Sequence, residues 1–162
     1  MIKNYHTLTI NSLLKGPPLN VLFIYESNLQ KNSLLKDVIN LSTLHQKQII
    51  YIDTFSTFFQ LEVKPRDLIV ISPFEMTLHQ FFSMIMCLPK NSIIVVDSYP
   101  SIINVFFGEE EKADRLFLYF LIKIKHVSHL IVLVHVNSRK DLPSFPIFNK
   151  KFYDKFLLGK VD

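Results

Sequence analysis

Short unbroken apolar runs alternate along the chain with longer stretches whose apolar positions recur every three or four residues. The runs Val21–Tyr25 (VLFIY), Ile49–Ile52, Leu68–Ile71 and Leu130–Val136 have no polar face, and each predicts a strand buried on both sides. Ser92–Val96 predicts another, ending at Asp97. Between Ser33 and Leu44 the apolar residues Leu34, Leu35, Val38, Ile39 and Leu41 follow helical spacing, with Lys36, Asp37 and Asn40 opposite them. Met76–Leu88 repeats that pattern through Leu78, Phe81, Phe82, Ile85 and Met86, and Pro89 closes it. Glu109–Val127 predicts the longest helix, with Glu109, Glu110 and Glu111 in the first turn, where carboxylates meet the positive end of the helix dipole. After a loop through Pro143 and Pro146, the more polar Phe152–Leu158 predicts a final edge strand.

Apolar strands alternating with amphipathic helices require a mostly parallel sheet covered on both faces, so the fold class is α/β. The chain has 162 residues, 49% of them hydrophobic, enough for one well-buried core. The expected organisation is a single domain spanning 1–162, with 1–20 as a lead-in segment and 21–162 as the core. No apolar run approaches the ~20 residues that cross a bilayer, and the start from Met1 to His6 lacks the layout of a secretory signal. The expected location is therefore intracellular, with no membrane partner.

Composition narrows the chemistry further. Glycine occurs only at Gly16, Gly108 and Gly159, which excludes a glycine-rich phosphate loop. The single cysteine, Cys87, beside Met84, Met86 and Leu88, is expected to be a buried thiol. His126, His129 and His135 fall at a helix-to-strand turn and inside a strand, without zinc-ligand spacing, while His45 and His79 are expected at a surface or interface. A net charge of +4 permits contact with nucleic acid without concentrating the charge in one tract. Phe55, Phe58, Phe59, Phe106 and Phe107 fill the core or anchor a partner.

The order of these segments resembles the core of the RecA/RadA recombinase superfamily. LTINSLLKG (Leu8–Gly16) resembles the family's lead-in, and VLFIYE followed by SNLQKNSLL occupies the place of the first strand and its phosphate-binding loop. IIYIDT (Ile49–Thr54) resembles the second core strand, DLIVISPF (Asp67–Phe74) the next, and IIVVDSYPSI (Ile93–Ile102) the Walker B strand with its terminal aspartate at Asp97. HLIVLVHVNS (His129–Ser138) resembles the strand leading to a DNA-facing loop, and KFYDKFLLGK (Lys151–Lys160) the late core strand. On this resemblance the fold is a single RecA-like, P-loop NTPase-type domain in which Val21–Tyr25 and Ile93–Val96 are neighbours in one sheet.

The loop departs from the family pattern. Where a glycine, four variable residues, a glycine, a lysine and a serine or threonine belong, this chain has Glu26, Ser27 to Gln30, Lys31, Asn32 and Ser33, so only the serine survives. Glycines there let backbone N–H groups curl around phosphate and the lysine neutralises it; Glu26 and Asn32 do neither. Phe55 also stands where a catalytic carboxylate often follows the second strand. The resemblance thus implies a degenerate Walker A motif, no bound ATP or Mg²⁺, and no enzymatic activity. Asp97 is then a capped strand end or a retained residue in preference to a metal ligand, because a lone carboxylate holds the ion poorly.

What the resemblance implies for function is a non-catalytic recombinase paralogue, a pseudo-ATPase that pairs with another RecA-like subunit or recombinase and assists homologous recombination and DNA repair. Arg139 and Lys140 follow the strand ending near Val136, where recombinases place DNA-contacting residues; they could hold single- or double-stranded DNA by its backbone without sequence preference. The location would be nuclear in a eukaryote and cytoplasmic in a prokaryote. A second expectation is an ATPase-dead RecA-like scaffold subunit, resembling the accessory ring of Elongator. A third keeps an ATPase whose unusual loop, with Lys31, Asn32 and Ser33, binds nucleotide.

Overall fold

Seven strands pair side by side in one sheet, in the order β1-β7-β2-β6-β5-β3-β4, where β1 is Ile2–Asn4, β2 Asn20–Tyr25, β3 Ile49–Asp53, β4 Leu68–Ile71, β5 Ile93–Tyr99, β6 His129–His135 and β7 Lys155–Leu158. All the pairings are parallel. The structure is a computed structural model that describes residues 2–4, 6–53, 68–99, 127–137 and 153–159. Three α-helices stand among the described residues: α1 (Thr7–Lys15), α2 (Asn28–Leu44) and α3 (Leu78–Met86).

Alternation along the strands sorts their side chains into two cores. Odd-numbered residues such as Phe23, Tyr51, Val95 and Leu133 pack with Ile10 and Leu14 of α1 and Leu34, Leu35 and Val38 of α2. Even-numbered residues such as Leu22, Ile52, Val96 and Val132 pack on the other face with Phe81 and Ile85 of α3. Helices therefore cover both faces, as the uninterrupted apolar strands demand, and the fold is α/β and consistent with a RecA-like domain. Each fully buried branched side chain in these layers contributes about 1.5–3 kcal/mol of transfer free energy. None of the helices among the described residues is long and apolar enough to cross a membrane.

Several expectations change. Val21–Tyr25 and Ile93–Val96 share one sheet but are not adjacent, because β6 lies between them and pairs with both. The final strand is no edge: β7 is inserted between β1 and β2. Its one polar residue, Lys155, is exposed at its start, while Leu157 is buried. The lead-in holds two elements, the edge strand β1 and helix α1, whose Ile10 and Leu14 are anchored in the core. α2 begins at Asn28, five residues ahead of Ser33, because Ser27 and Gln30 form a capping box. The expected helix from Met76 to Leu88 is shorter, α3 at Leu78–Met86, because a second capping box, Thr77 with Gln80, fixes its start, and a separate 3₁₀ turn at Pro73–Glu75 precedes it. Cys87 is exposed, at the C-cap of α3 and not in the core. Nearly all of the expected helix Glu109–Val127, the phenylalanines 55, 58, 59, 106 and 107, and Arg139 and Lys140 lie outside the described residues.

Candidate functional site

In an open parallel sheet, the carboxyl ends of the strands are where the chain changes direction and where backbone groups and side chains converge. Here β2 ends at Tyr25, β3 at Asp53 and β6 at His135, and Asp97 sits near the end of β5. Asp53 and Asp97 are partners in register across β3 and β5, both buried. Immediately after Asp97 the β5–β6 register shifts by one residue, so that Tyr99 pairs with Val134. That irregularity ends the regular ladder at the aspartate.

β2 passes into α2 through a turn of only two residues, Glu26 and Ser27. The Ser27 hydroxyl accepts from the Gln30 amide at 3.4 Å. In return the Gln30 side-chain carbonyl accepts from the Glu26 amide at 2.8 Å and the Ser27 amide at 3.4 Å. The N–H groups at the head of a helix are the natural partners of an anion; at this turn two of them are held by the protein's own carboxamide. Asn32 and Ser33 stand in the helix beyond the turn, half-buried. The expected phosphate-loop residues therefore do not form a loop.

Lys31 lies one turn into α2 and points inward. Its ammonium is 3.2 Å from Asp97 Oδ2, and the two side chains are 3% and 0% exposed. The Tyr51 hydroxyl donates to the same Asp97 oxygen, and the Tyr25 ring lies 5.6 Å from the Lys31 ammonium in a cation–π contact. Burial, reinforced by the negative charge of Asp97, pushes the Tyr25 hydroxyl well above the ordinary tyrosine range. His135 packs edge-on against the Tyr25 ring with centroids 5.3 Å apart, and its Nε2 donates to the Glu26 carbonyl at 3.1 Å. Two sequence-predicted residues from distant segments, Lys31 and Asp97, are thus brought together, and Glu26 forms the exposed rim above them. Sealed from solvent, the Lys31–Asp97 pair ties α2 to the sheet. Among the described residues no group of three His, Cys, Asp or Glu side chains is placed to hold a metal ion.

Tyr25, Tyr51 and His135 are members of this cluster that the sequence reading did not assign to it. Ser27-x-x-Gln30 was a readable capping signal. The two tyrosines carry no local signal, because what selects them is their position beside a charge contributed by another strand. His45, the C-cap of α2, donates from Nε2 to Asn11 Oδ1 at 3.0 Å, tying the end of α2 to α1, and His79 is exposed on α3. His129 opens β6 and is buried, with its Nδ1 accepting from the Leu19 amide at 3.4 Å.

Fold and site together define an α/β protein with one parallel sheet among the described residues and a buried polar cluster at the sheet's carboxyl end. No protein-family model matches the chain, and no curated protein matches it.

Proposed function

We propose that this protein is a non-catalytic RecA-like recombinase paralogue, assisting homologous recombination and DNA repair by binding partner recombinase subunits and DNA. The observation that carries the reading is the buried Lys31–Asp97 pair. Lys31, one position ahead of the place of the Walker A lysine, and Asp97, which resembles the Walker B aspartate, are spent on each other across the intervening strand β6 instead of on phosphate and metal. The pairing needs no direct contact between β2 and β5, so the corrected strand order leaves it intact.

Support also comes from the turn. Glu26 sets a carboxylate where a triphosphate would lie, and like charges at such a position repel. The Glu26 and Ser27 amides are already hydrogen-bonded to Gln30. Such a protein acts inside the cell, in the nucleus of a eukaryote or the cytoplasm of a prokaryote, through its surface.

Capture of RecA-like subunits from a lysate of the source organism by the tagged full chain, with the captured proteins identified by mass spectrometry, tests the proposal directly. Calorimetric titration with ATP and magnesium is expected to give no binding heat. Gel shifts on unrelated DNA sequences are expected to weaken steeply with salt and to weaken equally when Arg139 and Lys140 are replaced by alanine. Measurable ATP binding would overturn the non-catalytic reading; capture of RNA-modification subunits in place of recombinases would favour the scaffold.

A further inference from the structure

We infer that the chain supplies its own substitute for a ligand at the head of α2: the Gln30 carboxamide and the Lys31–Asp97 pair form an internal lock that holds the Glu26–Ser27 turn in one state without nucleotide. The inference rests on reading this turn as an eroded nucleotide cradle, and it adds how the turn is regulated.

A bound nucleotide with its metal brings two things to such a site: acceptor oxygens for backbone amides and a cation for the strand-end carboxylate. Here both are intramolecular. Gln30 Oε1 is the acceptor for the Glu26 and Ser27 amides, and Lys31 Nζ is the cation at Asp97. The acceptor is neutral, as it must be beside the Glu26 carboxylate, which would repel an anion.

The lock is also keyed to β7, the strand beside β2. Gly159 follows β7 and donates to the Ile24 carbonyl at 2.8 Å. A Cβ at Gly159 would stand 2.7 Å from Gln30 Oε1, 2.8 Å from its Cδ and 2.9 Å from its Cβ. Only glycine lets Gln30 lie in this position, so the end of β7 and the head of α2 are fitted to each other. The exposed rim of the turn, Glu26, Asn28 and Leu29, is consequently presented in one arrangement whether or not nucleotide is present.

Amide hydrogen exchange on the full chain tests this. In the unaltered protein the Glu26 and Ser27 amides are expected to be protected and to remain unchanged on adding ATP and magnesium. Gln30→Ala should raise their exchange at least about tenfold, while the amides of β2 stay protected. Gly159→Ala should do the same by displacing the Gln30 side chain, leaving the sequence of α2 intact. Unchanged exchange at both amides in both variants would overturn the inference, as would added protection of the unaltered protein by ATP and magnesium. Failure of the functional reading is separate: a chain that passes these exchange tests yet captures no RecA-like subunit keeps its lock and loses its assigned partner.

Discussion

Replacing Lys31 by methionine is the sharpest perturbation of the site. It keeps most of the side-chain volume and removes the charge, leaving Asp97, which is fully buried, with the Tyr51 hydroxyl but without its cation. At 3.2 Å the pair attracts by about 5 kcal/mol at an effective dielectric of about 20. Stranding one partner of a buried pair generally costs about 3–5 kcal/mol, a large part of the ~5–15 kcal/mol that holds a domain together. With a urea m-value of about 2 kcal/mol per molar, the unfolding midpoint should fall by roughly 2 M. Asp97→Leu should be destabilising to a similar degree, since it strands the ammonium. The double variant Lys31→Met/Asp97→Leu removes both charges and should recover most of the loss, because an apolar pair of matched size in a buried site is often neutral or better. Urea denaturation followed by circular dichroism measures all four proteins. A Lys31→Met cost below about 1 kcal/mol, the value of a solvated surface pair, or additive single losses in the double variant, would refute the reasoning.

Other consequences are as direct. Burial, aided by the positive charge of Lys47 and opposed by the Leu14 carbonyl, pushes the His129 ring down to about 4 from its ordinary 6.5. The folded state therefore refuses a proton that the unfolded chain accepts, so His129 contributes stability above pH 6.5 that is lost as pH falls toward 4, up to about 3 kcal/mol in all. Denaturation across that window should show a shallower decline for His129→Gln than for the unaltered protein, and equal slopes would refute the assignment. Tyr51→Phe removes the hydroxyl donated to Asp97 and should cost about 1.5–3 kcal/mol in the same urea assay, the range for a hydrogen bond to a charged group. Thr77→Ala deletes the cap of α3 and should cost about 1 kcal/mol. Cys87, being exposed, should be labelled fully by a thiol reagent in the native protein, whereas a buried thiol would react only on unfolding.

The α/β class and the five strands from Val21 to Val136 were legible in the chain because a strand covered on both faces must be apolar at every position, whatever its neighbours. The start of α2 was legible too, in Ser27 and Gln30, although the run of apolar residues drew the boundary to Ser33 instead. Local pattern carries such information because side-chain periodicity and capping involve residues within one turn of each other. It carries no information about which strand lies beside which. The insertion of β6 between β2 and β5, and of β7 between β1 and β2, depends on crossovers whose energies are settled by the packing of the whole sheet. The same holds for the site: Lys31 and Asp97 are 66 residues apart, and only the fold turns a helix lysine and a strand-end aspartate into one buried pair. Likewise Gly159 reads as an ordinary loop residue until β7 brings it against Gln30. Sequence determined the elements and the chemistry available to them; tertiary structure decided which charges meet, because proximity in space is a property of the assembled sheet and not of any segment within it.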